Sequence, residues 1–487
     1  MPQVATEVVA QPIVSDRVLV STASPLATSI ALFVADVIAV LLARGLALVF
    51  WSWVHPAIGL EQDFAIWLSV AFLPMVYAGL GLYAAGNLGP VEELRRITLG
   101  TVLVSLIMTA TNFFVRDING YSRGLFISSL VLIAILVPLN RAFFRYLYAG
   151  KPWWGIPVLV LGAGKTATLV IESLRRQPGL GLKPVVCLDD DESKHGDCAG
   201  VAVAGCLDRA PELARELKIR HALVAMAGVE REKLVHVIEH WGATFSHLTV
   251  IPNLFGIATL WVTTRDLGGI LGLQVRQNLL SPMNQWLKRV MDVVMGTLIG
   301  VIALPIVGLA ALWIKLVSRG PAFYYQDREG ENGETIRIRK LRTMYPNSEE
   351  LLKQHLLRDG AAREEWQHYF KLRSDPRVIP GIGRILRRTS LDELPQIWMV
   401  ITGKMSLVGP RPFPSYHLQG FDTDFREFRR KVPPGLTGLW QVSARSDGDL
   451  KVQELLDVYY IRNWSLWLDI HILARTVGAV VMLKGAY

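Results

Sequence analysis

Four long apolar stretches dominate the first 150 residues of the chain, and polar segments separate them. The stretches run at about Leu26–Val54, Phe64–Ala85, Ile97–Val115 and Leu125–Leu139. The first three are long enough to cross a hydrocarbon core of about 30 Å as helices, and Phe143 and Phe144 extend the fourth. The pattern predicts a four-helix transmembrane bundle over residues 26–150. Residues 1–25 are predicted to be a polar N-terminal tail, since they lack the apolar core of a secretory signal.

Basic residues in the loops predict how this bundle is oriented. The loop before the third stretch and the segment after the fourth contain Arg95, Arg96, Arg141, Arg145 and Lys151. The first loop carries acids and no lysine or arginine, although the third loop carries Arg116 and Arg123. Because cytoplasmic loops are enriched in lysine and arginine, both ends of the bundle are predicted to lie in the cytoplasm. Asp36 and Arg44 lie inside the first stretch, and we interpret them as an internal pair or, for Arg44, as a residue near the interface.

A different pattern begins at residue 151, where short apolar runs alternate with helical patterns. The run Ile156–Leu161 leads into Gly162-Ala163-Gly164, and a helical pattern and a second apolar run then end in Asp189-Asp190-Asp191. A strand, a glycine turn, a helix, a strand and an acid form the layout of a dinucleotide-binding fold. We therefore predict a Rossmann-like α/β domain over residues 151–255. Because the fingerprint is partial, nucleotide binding is left open beside a structural or regulatory role. Residues 256–284 predict a hairpin linker.

A further apolar run, Val293–Ile314, is long enough to be a fifth span, but two features argue against that interpretation. Lys288 and Lys315 lie on either side of it, so the positive-inside bias places both of its ends in the cytoplasm. Pro305 lies near its middle, where proline removes a helix hydrogen bond and forces a kink. We therefore predict a re-entrant, proline-broken helix over residues 287–318. The alternative is a proline-kinked span.

The C-terminal region, residues 285–487, contains the candidate chemistry. Two basic clusters comprise Arg337, Arg339, Lys340 and Arg342, and then Lys371, Arg373, Arg377, Arg384, Arg387 and Arg388. An adjacent acid pair, Asp392-Glu393, follows them. Carboxylates of this kind can bind Mg²⁺ or attack a phosphorus centre, and guanidinium groups bind phosphate oxygens. On these residues alone, a solvated charged helix end explains the acid pair equally well.

Together these residues resemble the polyprenyl-phosphate hexose-1-phosphate transferases, the monotopic phosphoglycosyl transferases that begin bacterial sugar polymers. The resemblance covers residues 285–487 and rests on the acid pair, the proline-containing helix and several short motifs. These motifs are Lys288-Arg289-x-x-Asp292, Gln326-x-Arg328-x-Gly330, Lys340-x-Arg342-x-Met344, Asp375-Pro376-Arg377, Gly409-Pro410-Arg411-Pro412 and Pro434-Gly435-x-Thr437-Gly438. Four spans and a Rossmann-like module are typical of the large members. The ending, with Trp464-x-x-Trp467-x-Asp469, resembles the undecaprenyl-phosphate galactose phosphotransferases.

The resemblance implies a reaction and the residues that perform it. Hexose-1-phosphate, with galactose favoured over glucose, would pass from UDP-hexose to undecaprenyl phosphate with release of UMP. Asp392 would attack the β-phosphorus and hold the phosphosugar covalently, Glu393 would assist, and both carboxylates would bind Mg²⁺. The residues expected to bind phosphate are Lys340, Arg387, Arg411 and Arg445. Such a phosphotransferase would initiate exopolysaccharide, capsule or O-antigen synthesis.

Composition is compatible with a membrane enzyme that binds anions. Of the 487 residues, 51% are hydrophobic and 19% are charged, and the net charge is +9. The high hydrophobic content excludes a disordered chain, and three cysteines in a chain of this length exclude a disulfide scaffold. We expect the bacterial inner membrane, with the catalytic domain on the cytoplasmic face. UDP-hexose and undecaprenyl phosphate are the expected partners, nucleic acid is not expected, and a homodimer is left open.

Two other classes of protein could share parts of this pattern. A membrane-bound nucleotide-sugar dehydratase could share the first half of the chain, but its chemistry needs Tyr-x-x-x-Lys, and none of the 13 tyrosines has lysine four positions on. A non-catalytic assembly scaffold would have no need of an intact acid pair with its arginines.

Overall fold

The structure is a computed structural model of the chain, and it divides into two compact units, Met1–Leu254 and Phe255–Tyr487. The residues that it describes are 23–54, 64–86, 88–115, 123–226, 228–242, 244–251, 263–266, 268, 271–274, 277–360, 363–364, 366, 372, 375–414, 418, 420–443 and 450–481.

The first unit begins with four apolar helices. They are α1 (Pro25–Val54), α2 (Phe64–Gly79), α3 (Pro90–Val115) and α4 (Arg123–Tyr148). Within the described part of this unit, α1, α3 and α4 are long and apolar enough to cross a membrane. The second predicted stretch was too long, because its helix ends at Gly79 and its 16 residues reach only about 24 Å. α3 begins before the apolar stretch, since Pro90 suits a first helical turn and Glu92 and Glu93 there complement the helix dipole.

A buried ion network joins α1, α3 and α4. Arg141 Nη2 lies 2.6 Å from Asp36 Oδ2, and Arg141 Nη1 lies 2.7 Å from Glu93 Oε1. The Tyr83 hydroxyl donates a hydrogen bond of 2.9 Å to Asp36. Asp36 therefore has an internal partner on α4, while the buried Arg44 lines a cavity of about 20 Å³. Because a buried charge is costly without its partner, the network specifies which faces of the helices pack together.

The rest of the first unit is an α/β domain with one six-stranded sheet. Its strands, in the order β3-β4-β2-β1-β5-β6, are β1 (Ile156–Leu161), β2 (Leu182–Leu188), β3 (Gly196–Cys198), β4 (Val201–Val203), β5 (His221–Val224) and β6 (His247–Val250). Its helices are α5 (Lys165–Arg176), α6 (Ala210–Glu216) and α7 (Arg231–Gly242). β1 pairs in parallel with β2 and β5. Alternate residues of β1 face opposite sides: Leu159 and Leu161 pack with α6 and α7, and Val160 packs with α5. The predicted Rossmann-like architecture is confirmed.

The second unit begins with a strand pair and a long helix. β7 (Thr263–Asp266) pairs antiparallel with β8 (Leu271–Gln274), and α8 (Pro282–Val317) follows. The later elements are β9 (Phe323–Glu329), β10 (Thr335–Leu341), α9 (Ser348–Arg358), α10 (Ile382–Thr389), α11 (Ile397–Ile401), β11 (Ser406–Val408), α12 (Thr423–Arg430), β12 (Gly435–Thr437), α13 (Leu439–Ser443), α14 (Leu450–Asn463) and α15 (Leu466–Val481). β9 and β10 pair antiparallel, and β11 and β12 pair in parallel, so the unit is a mixed α/β domain.

α8 contacts this domain along most of its length. Near its beginning, Arg289 donates hydrogen bonds of 2.6 Å to the carbonyl oxygens of Val400 and Ile401. Near its end, Ala310 and Ile314 are buried in a cluster with apolar residues of β10 and α10. The residues on its other face are exposed and apolar, among them Val301, Leu304, Leu309 and Leu316. The helix continues through Pro305, so the predicted break at this proline is not found: the surrounding turns keep helical geometry despite the missing hydrogen bond.

Candidate active site

The acid pair lies at a sharp turn between two helices. α10 ends at Thr389, and Ser390 follows it with a φ of +56°, in the left-handed region. A short 3-10 helix, Leu391–Gln396, then presents Asp392 and Glu393 in its first turn and is anchored by buried residues at its end. A non-glycine residue in the left-handed region costs conformational energy, and such positions cluster at functional sites.

Two cations neutralise Glu393. Lys340 Nζ, on β10, lies 2.6 Å from Glu393 Oε1, and Arg411 Nη2, in the loop after β11, lies 3.1 Å from the same oxygen. Burial raises the pKa of Glu393, but the charges of Arg411 and Lys340 outweigh burial and lower the pKa to about 2. Glu393 is therefore ionised at neutral pH and holds two cationic groups beside Asp392.

Asp392 is held in a different way. Among the described residues, no other side chain hydrogen-bonds to its carboxylate. Burial and the neighbouring charge of Glu393 raise its pKa to about 6, although Lys340 and Arg387 oppose this rise. The carboxylate accepts a hydrogen bond from its own backbone N–H, is mainly ionised at neutral pH and has no side-chain donor among the described residues. This is a state in which it can act as a nucleophile or a metal ligand.

Arg387 is fixed by a separate polar cluster. Its Nε donates a hydrogen bond of 3.2 Å to Thr343 Oγ1, and its Nη1 lies 3.9 Å from Asp375 Oδ2. Arg377 binds Asp375 through two hydrogen bonds of 2.8 and 2.7 Å. The cluster holds the Arg387 charge close enough to Asp392 to lower the pKa of that carboxyl.

Most of the site residues predicted from the sequence are close together. Lys340 and Arg411 both contact Glu393, and the charges of Lys340 and Arg387 lower the pKa of the adjacent Asp392. Arg445 lies outside the described residues, so its role in phosphate binding stays a prediction, and Pro305 lies within α8. Sequence reasoning missed Thr343, which gives no signal beyond its place in the Lys340-x-Arg342 motif. It also missed the buried Arg429 and Asp457, which support the Arg411 loop from positions remote in the chain.

The glycine turn of the Rossmann-like domain binds an acid of the chain itself. The Ala163 N–H donates a hydrogen bond of 2.7 Å to Asp189 Oδ2, and the Asp191 N–H donates one of 3.0 Å to Asp189 Oδ1. Lys194 lies 3.5 Å from Asp189 Oδ1. In a dinucleotide site the turn binds a pyrophosphate and an acid binds the ribose. Here Asp189 accepts the hydrogen bond of the glycine turn that a pyrophosphate would otherwise accept, which favours a structural role for this domain.

Comparison with known proteins covers both units. The bacterial sugar transferase family matches residues 283–483, and the CoA-binding domain family matches residues 80–252. The chain is 34% identical over 405 residues to the undecaprenyl-phosphate galactose phosphotransferase of Salmonella typhimurium, an alignment that covers 81% of this chain and 82% of that protein. The chain belongs to the bacterial sugar transferase family.

Other relatives have related names. The chain is 33% identical over 386 residues to the UDP-galactose-lipid carrier transferase of Erwinia amylovora, which covers 75% of this chain and 76% of that protein. It is 34% identical over 342 residues to the UDP-glucose:undecaprenyl-phosphate glucose-1-phosphate transferase of Escherichia coli, which covers 68% of each. The predicted family and the predicted phosphotransferase class are confirmed. With its long apolar helices, this bacterial sugar transferase is a membrane-associated protein.

Proposed function

We propose that this enzyme transfers hexose-1-phosphate from a UDP-hexose to undecaprenyl phosphate and releases UMP. The observation that carries the proposal is the difference between the two acids. Glu393 is paired with Lys340 and Arg411, while no side chain among the described residues donates a hydrogen bond to Asp392. Galactose is the favoured sugar, because two relatives that are aligned over most of their length are named for galactose. The glucose-1-phosphate transferase among the relatives makes UDP-glucose the second candidate.

The proposed reaction has two displacement steps at one phosphorus. A carboxylate oxygen of Asp392 attacks the β-phosphorus of UDP-hexose, the bond from this phosphorus to the bridging oxygen breaks, and UMP leaves with the electron pair. The phosphosugar is then bound to Asp392 as an acyl phosphate. A phosphate oxygen of undecaprenyl phosphate attacks the same phosphorus and frees the Asp392 carboxylate. Such a transfer depends mainly on positioning and on stabilisation of charge.

The basic residues supply that stabilisation. Lys340 and Arg411 meet at Glu393 and can also contact a pyrophosphate, since each has further N–H donors. Arg387, held by Thr343 and Asp375, lies close enough to Asp392 to lower the pKa of that carboxyl. We assign these three residues and Arg445 to the binding of substrate phosphates.

The acid pair fits Mg²⁺. This ion is commonly held by one or two carboxylates together with substrate phosphates, and Asp392 has an uncommitted carboxylate while Glu393 has its Oε2 oxygen outside the contacts made to Oε1. Asp392 and Glu393 would hold the ion. When bound, Mg²⁺ would neutralise charge on the pyrophosphate and on the departing UMP.

The contacts of α8 support re-entry rather than crossing. Arg289 near its beginning and Ile314 near its end both contact the same catalytic domain, which supports the placement of both ends on one side of the membrane. The exposed apolar face between them would lie in the lipid of one leaflet. With a multi-pass helical bundle in the bacterial inner membrane, this geometry would place Asp392 on the cytoplasmic face, where a lipid phosphate and a soluble nucleotide can both reach it.

Cysteine labelling tests this topology. In a chain whose three native cysteines are replaced, Lys315→Cys should react with an impermeant reagent only after the cells are permeabilised. Glu61→Cys, in the first predicted loop, is the matched control and should react in intact cells. Labelling of Lys315→Cys in intact cells would contradict re-entry.

The reaction itself is tested with membranes, Mg²⁺, undecaprenyl phosphate and a panel of radiolabelled UDP-sugars. UMP release and a labelled lipid product are expected with UDP-galactose or UDP-glucose. Without the acceptor, a radiolabelled phosphosugar should remain on the denatured wild-type protein and be absent from Asp392→Asn. Absence of UMP release with every sugar would instead favour a non-catalytic scaffold. Such an enzyme would begin exopolysaccharide, capsule or O-antigen synthesis.

A further inference from the structure

We propose that α14 is a positioning element for Arg411, through Asp457 and Tyr460. These two residues lie one helical turn apart and are 3% and 1% exposed. Tyr460 contacts the residue at which the Arg411 loop begins, and Asp457 acts on the loop at Arg411 through Arg429. The inference rests on the proposed role of Arg411 in binding substrate phosphate.

Tyr460 holds the beginning of the loop. Its hydroxyl lies 2.9 Å from the carbonyl oxygen of Val408, three residues before Arg411, and 2.8 Å from Asp469 Oδ1. The hydroxyl has one proton, so it donates to one of these oxygens at a time. Both oxygens are buried, so when the hydroxyl donates to Val408 it ties the end of β11 to α14 in a place that water does not reach.

Asp457 holds the other side of the loop through an intermediary. Arg429, on α12, donates a hydrogen bond to the carbonyl oxygen of Arg411 itself. The Arg429 Nε atom lies 3.4 Å from Asp457 Oδ2, and both side chains are buried. Without the Asp457 charge, the guanidinium of Arg429 would be a buried cation that lacks its counter-charge.

A buried polar cluster around Asp469 holds in place the carboxylate that Tyr460 contacts. Lys288 Nζ lies 2.7 Å from Asp469 Oδ2, and Trp464 Nε1 donates a hydrogen bond of 3.0 Å to the same oxygen. On α8, Asp292 accepts a hydrogen bond of 3.0 Å from the Leu407 N–H of β11. The strand that leads into the Arg411 loop is therefore attached to α8 and to α14.

The contacts made by Tyr460 and Asp457 are important because Arg411 binds its partners at hydrogen-bond distance. Its Nη2 atom lies 3.1 Å from Glu393 Oε1, and a shift of about 1 Å in a positioning group is enough to lower a rate by about 100-fold. A loop released at Val408 or at Arg411 would move this guanidinium relative to Asp392 without any change in the acid pair itself.

The test is a double-mutant cycle between Tyr460 and Arg411, measured as kcat/KM for UMP release from the UDP-hexose that the enzyme uses. Tyr460→Phe removes only the hydroxyl, and we expect kcat/KM to fall about tenfold. In an Arg411→Ala background the same substitution should change kcat/KM by less than about twofold, because the group that it positions is gone. Tyr459→Phe is the matched control, since the hydroxyl of Tyr459 makes no hydrogen bond among the described residues.

Asp457→Asn repeats the cycle from the other side of the loop. It keeps the shape of the side chain and removes the negative charge that pairs with Arg429. It should lower kcat/KM about fivefold in the wild type and less than about twofold beside Arg411→Ala. This variant carries the cycle if Tyr460→Phe fails to fold, as judged by its thermal unfolding.

The possible outcomes distinguish a failure of the positioning role from a failure of the phosphate-binding role of Arg411. Equal fold-losses in both backgrounds, with Arg411→Ala itself slow, would overturn the positioning role and leave the proposed function standing. An Arg411→Ala enzyme as active as the wild type would overturn the phosphate-binding role of Arg411 and the positioning role with it.

Discussion

The Rossmann-like domain and the catalytic domain each contain a run of adjacent acids, and the two runs have opposite surroundings. Asp189 accepts two backbone N–H groups, and Asp190 accepts the N–H of Leu207 and lies 3.0 Å from Lys233. Asp392 accepts no hydrogen bond from another side chain among the described residues, and cations surround it at a distance. The acids of the Rossmann-like domain accept hydrogen bonds from the backbone of their own turns, whereas Asp392 in the catalytic domain is available to a ligand.

This difference shows why the residue types alone do not identify a site. A carboxylate that satisfies its own backbone lowers the energy of the fold and has little left to offer a ligand. A buried carboxylate with a raised pKa, such as Asp392 beside the ion-paired Glu393, is available to react with a ligand, but its burial lowers the stability of the fold. Substitutions in the two acid runs and at Lys340, together with the pH profile, test this contrast.

Asp392→Asn should abolish transfer. We expect kcat to fall by about 10³-fold or more, because the amide is a poor nucleophile and the substitution keeps the shape of the side chain. Thermal unfolding should be unchanged or slightly raised, since a buried, uncommitted charge is removed. UMP release at the wild-type rate would disprove the covalent mechanism.

Lys340→Met should lower kcat/KM by about 100-fold, because it removes one donor aimed at the phosphate and leaves Glu393 with Arg411 alone. Lys404→Met, at an exposed position of the same domain, is the control for the loss of a positive charge. A similar small loss in both variants would show that Lys340 acts only through net charge.

The pH profile tests the state of Asp392. The nucleophile must be ionised and its pKa is raised to about 6, so kcat/KM should fall about tenfold per unit as the pH drops below this value. Glu393 raises this pKa and Lys340 lowers it. Glu393→Gln should therefore move the acid limb to lower pH, and Lys340→Met should move it to higher pH. Shifts in the same direction would contradict the assignment.

Asp189→Ala should lower the stability of the Rossmann-like domain by about 1–3 kcal/mol, since the Ala163 N–H loses its acceptor. Hydrogen exchange of the glycine turn measures the effect. We expect kcat/KM for transfer to change by less than about twofold. A large loss of activity with an intact fold would show that this acid run serves the reaction after all.

Local patterns were enough to predict much of this protein. The alternation of strands and helices from residue 151 predicted the Rossmann-like domain. The acid pair was recognisable beside its basic clusters, and the resemblance to a known family implied Lys340, Arg387 and Arg411 as phosphate-binding residues. Helix bounds were less accurate. The second helix stops at Gly79 within an apolar sequence, and α3 begins at Pro90 in a polar one, because caps and turns rather than hydrophobicity decide where a helix begins and ends.

The amino-acid sequence was enough to locate the apolar helices, the glycine turn, the acid pair and the basic clusters, because each of these features is local in the chain. Which acids accept hydrogen bonds from the protein itself became clear only from the packing of the folded chain. Tyr460 meets Val408 across 52 residues, and Asp36 meets Arg141 across 105. Such pairs leave no periodic trace in the chain, because their geometry arises when distant segments are packed together and buried polar groups must find partners.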